Sequence, residues 1–128
     1  HKMFDNMTID GCGRIVLQED PGNQPYVARL YVYGIESGNL VEVAHHNPKF
    51  FDPTNIDQTK FITQDEESSG VIDASKVLGK GWFLLDVQAH KASADPELVE
   101  GGQLLAMHID QDFECAKDND HNDEEDDD

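Results

Sequence analysis

Short runs of strict alternation constrain this chain most. In residues 28–34 (ARLYVYG), Leu30 and Val32 fall on one side, and Arg29, Tyr31 and Tyr33 on the other. That is the two-residue period of a strand, not the 3.6-residue period of a helix. Residues 4–10 (FDNMTID) alternate in the same way, and Ile15-Val16-Leu17 and residues 40–44 (LVEVA) are further short apolar runs. Turn chemistry separates them: GCGR at 11–14, Pro21-Gly22-Asn23, and Ile35-Glu36-Ser37-Gly38-Asn39. Four antiparallel strands in about 40 residues is the size of one propeller blade.

After a polar connection at 47–62, the pattern recurs. Ser69-Gly70-Val71-Ile72-Asp73 matches Asn6-Met7-Thr8-Ile9-Asp10 in character. Leu78-Gly79-Lys80-Gly81 stands where GCGR stood, and residues 82–90 and 101–109 follow as strands. A counterpart of LVEVA is missing. Helix is confined to single turns at 73–78 and at 95–100, the latter with Asp95 as cap and Pro96 behind it. The expected fold class is all-β: a partial β-propeller of about two four-stranded antiparallel blades over 1–109, blade 1 about 4–46 and blade 2 about 63–109. Closure takes at least about four blades. The chain is therefore expected to be a fragment, an expectation that its opening on His1 supports.

Charge divides the chain. The formal net charge is −18. Residues 110–128 hold eleven acids against one Lys, or −10, which leaves −8 for residues 1–109. The tail has almost no apolar side chains to offset ordering entropy, so disorder is expected over 110–128. Asp118, Asp120 and Asn122 imitate calcium-loop spacing, but the loop's glycine and closing Glu are absent. With nine Lys and Arg in all, neither nucleic-acid nor anionic-membrane binding is expected. No apolar run is long enough to span a bilayer, and residues 1–10 lack the progression of a secretory signal. Cys12 and Cys115 lack metal spacing; they can pair, but spacing alone does not establish it.

Three acidic clusters carry the candidate chemistry. Asp65, Glu66 and Glu67 stand side by side within TQDEESSG (63–70). Adjacent carboxylates repel unless a cation or several donors sits among them, and oxygen ligands at that density suit calcium; a solvated acidic turn is the alternative. The second cluster is Asp5-Asn6, before the first inner strand. The third is Gln18-Glu19-Asp20, where the second strand ends. Blade geometry would bring these clusters to one channel mouth, and that convergence argues for metal. His90 can serve as ligand, base or phosphate contact, and Arg29 can present a bidentate fork to phosphate; strand capping and a surface ion pair are the alternatives. His45 and His46 face opposite ways along a strand end. Nucleophile elbows, phosphate loops, CxxC and HExxH are absent.

The run DNMTID-x4-IVLQEDPGN, then ARLYVY, FITQDEESSGVIDASKVLGKGWFLLDVQAH and DPELVEGGQLLAMHI, resembles the PhoX-type alkaline phosphatases and their phytase-like propeller relatives. The likeness covers most of 4–109 and corresponds to the C-terminal portion of such a propeller. It implies an extracytoplasmic (periplasmic or extracellular) phosphoric ester hydrolase with clustered calcium, in some members with iron. Its partners would be a phosphate-ester small molecule and the remaining blades. By that likeness Asn6, Glu19, Glu66 and Glu67 supply metal oxygens, with Asp5, Asp20 and Asp65 next in line. The catalytic residue is unassigned, Arg29 and His90 being the candidates, and the fragment alone would be inactive. Two alternatives stay open: a propeller sugar-lactone hydrolase using one calcium, and a non-catalytic calcium-stabilised scaffold.

Overall fold

The structure, a computed structural model, describes residues 3–116. The calcium-loop imitation at 118–122 lies outside the described residues. Four strands form the first sheet: β1 (Phe4–Ile9), β2 (Arg14–Glu19), β3 (Arg29–Gly34) and β4 (Leu40–His45), antiparallel in the order β1-β2-β3-β4. The turn at 11–13 is organised by Asp10, whose Oδ1 accepts the N–H groups of Cys12 at 3.1 Å and Arg14 at 3.0 Å. The second sheet holds β5 (Glu66–Asp73), β6 (Trp82–Ala89) and β7 (Gly101–His108), with the one-turn helix α2 (Ser75–Leu78) between β5 and β6. The all-β reading and the strand count of each half match the sequence pattern.

Three local expectations change. The connection at 47–62 carries two short helical turns. α1 (Pro48–Phe51) is capped by Asn47, and a 3₁₀ turn (Gln58–Lys60) is capped by Asp57. Each Asx side chain accepts an N–H two residues on, which polar composition alone does not reveal. Residues 95–100 form no helix; Asp95 closes a single turn through its backbone oxygen to the Leu98 N–H. The acidic stretch is not a loop ahead of the strand either, because β5 begins at Glu66 itself.

The sheets meet through their alternating faces. Val16, Leu30 and Val32 from the first pack with Val71, Phe83 and Leu85 from the second, and with Ile109. Burying Phe83 completely contributes about 2–3 kcal/mol of transfer free energy. β5 lies against β1 and β2, and there one polar residue joins the layers. Gln18, fully buried, donates to Ser68 Oγ and to the Ser69 carbonyl at 3.2 Å, and its Oε1 accepts the Val71 N–H at 2.9 Å. A bulge in β5 between Ser69 and Ile72 makes this possible, with Gly70 at φ +61°.

The outer faces of both sheets are apolar as well. Met7–Leu17–Tyr31 and Ile9–Ile15–Tyr33 form cross-strand rows on the first, and Ile72–Leu84–Ala106 forms one on the second. Met7, Ile9 and Ile72 are each more than half exposed.

The boundary placed at residue 110 also moves. Residues 110–116 lie against the turn end of the first sheet. A Cys12–Cys115 disulfide ties them there. Buried Arg14 pairs with Asp10 at 2.7 Å and donates to the carbonyls of Asp110 at 2.6 Å and Phe113 at 3.0 Å. Phe113 packs against the core, and Glu114 binds Ser37 and Asn39 of the β3–β4 turn. Counting charge misses this segment, because its order comes from one covalent bond, one ring and one buried guanidinium.

Candidate metal centre

The bulge in β1 sets the first ligand. Phe4 pairs with Glu19 and Asn6 with Gln18, so Asp5 is the extra residue and has no partner across the ladder. Bulges re-aim a side chain in this way. Asp20 follows β2 directly. Its N–H donates to the Met3 carbonyl at 3.0 Å, and its Oδ1 accepts the Gly22 N–H at 3.2 Å, with Pro21 buried behind it. Glu67 comes from β5, one residue before the Ser68 that Gln18 holds. Ligand oxygens of Asp5, Asp20 and Glu67 all lie within 4.8 Å of one another.

Electrostatics registers the crowding. The Glu67 carboxyl is pushed up to about 7, first by burial, then by the Asp20 charge, a hydrogen bond with Asp20 and the Asp5 charge; His90 pulls the other way. At neutral pH the cluster therefore carries a partly retained proton, the response expected of like charges held close. A bound cation would relieve the same repulsion.

One flank of the cluster is a histidine. His90 Nε2 lies 3.9 Å from Glu67 Oε1, and its Nδ1 lies 2.8 Å from Glu100 Oε2. The hydrogen bond to Glu100 chiefly raises the His90 pKa, against the effect of burial. The Thr63 hydroxyl donates to the His90 carbonyl, and the His90 N–H to the Asp65 carbonyl. Asp65 in turn accepts the Asn23 N–H at 3.1 Å, which docks the 20–24 loop on the start of β5.

The other residues singled out from sequence lie elsewhere. Strand alternation turns Glu66 away from Glu67. Glu66 is buried between the sheets, accepts the Ala28 N–H at 2.7 Å, and lies 3.4 Å from Nδ1 of buried His46. Glu19 is also fully buried. It alternates with Gln18, so it turns to the outer face of the first sheet, where its charge helps raise the Tyr26 pKa behind the larger effect of burial. Asn6 donates to Asp5 Oδ1 at 2.9 Å and so orients a candidate ligand. Arg29 is held by Glu42 at 3.6 Å, lies over the Tyr26 ring at 5.4 Å, and hydrogen-bonds Tyr31.

No family model, curated protein or solved structure matches the chain. Sequence reasoning singled out Asp5, Asp20, Glu67 and His90. It missed Glu100 and His46. Glu100 had no visible signal, since its value comes from an approach across ten residues; His46 was set aside because its neighbour His45 faces the other way.

Proposed function

We propose that Asp5, Asp20 and Glu67 form a divalent-cation site, with calcium as the ion, in a chain that serves as part of a phosphoric ester hydrolase. The observation that carries the cation reading is the meeting of three carboxylates from three separate segments, one of them pushed up to about 7 first by burial and then by the other two. Exposed and half-buried carboxylate oxygens suit a hard cation that keeps some of its water. A bound cation would polarise a phosphoryl oxygen and take up developing charge. His90, fixed through Nδ1 by Glu100, would present its other ring nitrogen to the same region for proton transfer or for contact with a phosphate oxygen.

The phosphate-ester class comes from the likeness of EDPGN, DEESSGVID and ELVEGGQLL to the PhoX-type propellers. So does the proposal that the two sheets are neighbouring propeller blades. Apolar rows on both outer faces support that arrangement, since a blade buries one face against each neighbour. A disulfide suits the oxidising, extracytoplasmic setting that the likeness implies. Among the described residues no helix is long and apolar enough to cross a membrane.

A second reading has its own support. The triad joins β1 and the end of β2 to β5, so one ion would cross-link both sheets and stabilise the fold without chemistry. Assays of p-nitrophenyl phosphate and of a sugar lactone, with calcium and with chelator, separate these readings. A propeller-length protein carrying this segment is expected to hydrolyse the phosphate ester, and Glu67→Gln to lower the rate. The 128 residues alone are expected to bind calcium without turnover. Lactone turnover, or calcium-dependent stabilisation with neither substrate consumed, would reject the phosphatase reading.

A further inference from the structure

Glu66 stands back to back with Glu67 at the start of β5. It is buried between the sheets, 1% exposed. Its Oε1 accepts the Ala28 N–H at 2.7 Å, and Nδ1 of His46 lies 3.4 Å from the same oxygen. Ala28 is itself tied to the residue that follows β4, because its carbonyl accepts the His46 N–H at 2.9 Å. The buried His46 ring lies against Phe51 of α1, with ring centres 5.5 Å apart. The Glu66 carboxylate thus reaches from the first residue of the second sheet into a packed corner of the first, where β3 begins and β4 ends.

We infer that Glu66 is a positioning residue for the cation site: bonded to Ala28, it fixes the backbone from which Glu67 projects toward Asp5 and Asp20. The inference rests on the cation reading of that triad. Successive strand side chains take opposite faces, so holding Glu66 from behind sets where Glu67 stands in front. A hold is needed there. Three carboxylates within 4.8 Å of one another repel, and without an ion they push β5 away from β1 and the end of β2. Gln18 resists this on the C-terminal side of Glu67, through Ser68 and Ser69. Glu66 resists it on the N-terminal side. Ala28 leads into β3, which carries no member of the triad, so this second hold is anchored outside the segments that the repulsion pushes. Groups that orient a metal ligand from behind typically change metal affinity about 10–100-fold when lost.

The test separates reach from charge by titrating calcium calorimetrically into the 128-residue chain and two variants at pH 8. Glu66→Asp keeps the charge but is one methylene too short for the Ala28 N–H; it should weaken calcium binding about tenfold or more. Glu66→Gln loses the charge but keeps an oxygen for that N–H, and should bind calcium close to the wild-type affinity. Hydrogen exchange in chelator should show the Ala28 amide protected in the wild type and in Glu66→Gln, and faster in Glu66→Asp. A Cys12→Ser, Cys115→Ser double variant is the control for lost stability: it loosens the fold at the other end of the strands and should keep its calcium affinity. Wild-type affinity in Glu66→Asp, or a loss in Glu66→Gln as large as in Glu66→Asp, would overturn the positioning role and leave the cation reading standing. No calcium binding by the wild-type chain would overturn both.

Discussion

Gln18 and Ser68, fifty residues apart in sequence, meet side chain to side chain between the two sheets. That contact sets the distance between the candidate ligands. Asp20 lies two residues after Gln18, and Glu67 one residue before Ser68. Whatever holds Gln18 on β5 therefore holds the two carboxylates together against their repulsion.

Replacing Gln18 with Leu tests this coupling. The Val71 N–H would lose its acceptor in a buried site, at a cost of about 1–3 kcal/mol. Urea unfolding should show that loss, and calcium affinity should fall with it. Loss of stability with unchanged affinity would mean that the carboxylates are positioned independently of the clamp.

Glu67 gives the apo protein a pH signature. Its carboxyl titrates near 7 in the folded chain against an ordinary value of 4.5. A raised carboxyl pKa favours folding while the group is protonated. That contribution is complete below about 4.5 and is lost as pH rises through about 7. Without cation it amounts to a loss on the order of 2–3 kcal/mol. In chelator, Glu67→Gln should flatten the change between pH 4.5 and pH 8 and make the variant the more stable protein at pH 8. Parallel pH profiles for the two proteins would refute the crowding.

Arg14 should be among the costliest single residues to lose. Its guanidinium is buried, and it holds Asp10 and two carbonyls of residues 110–116. Arg14→Ala leaves Asp10 as a nearly buried uncompensated charge, at about 3–5 kcal/mol. Chemical denaturation measures the loss, and Arg14→Lys should recover little, since one ammonium cannot reach all three partners.

The disulfide spans 103 residues. Cutting so long a loop should cost about 2–5 kcal/mol. A Cys12→Ser, Cys115→Ser double variant should unfold at lower denaturant and expose residues 110–116 to hydrogen exchange. Calcium affinity should be unaffected, because the triad lies at the far end of the strands.

The strands of the first sheet were legible because period two survives in them, most cleanly in Phe4–Ile9 and Arg14–Glu19; the bulge breaks it in Glu66–Asp73, and Gly101–His108 is exposed almost throughout and shows no such period. The triad was only half legible. Asp65, Glu66 and Glu67 look alike in sequence, and only the start of β5 at Glu66 decides which one faces Asp20. Glu66 and Glu19 carried the same oxygen chemistry, yet alternation turned both away, Glu66 to His46 and Glu19 to the outer face near Tyr26. Asp5 gained its place from a bulge, and a bulge needs the partner strand before it can be seen. The order of residues 110–116 was hidden because composition weighs their acids and cannot see Arg14 waiting for their carbonyls.

Calorimetric titration of calcium into the apo chain at pH 8 is the most direct measurement of whether these acids are a site. One ion per chain is expected, with affinity falling as pH drops through about 7 and binding abolished in an Asp20→Asn, Glu67→Gln double variant. No heat of binding, or equal binding by the double variant, would contradict it.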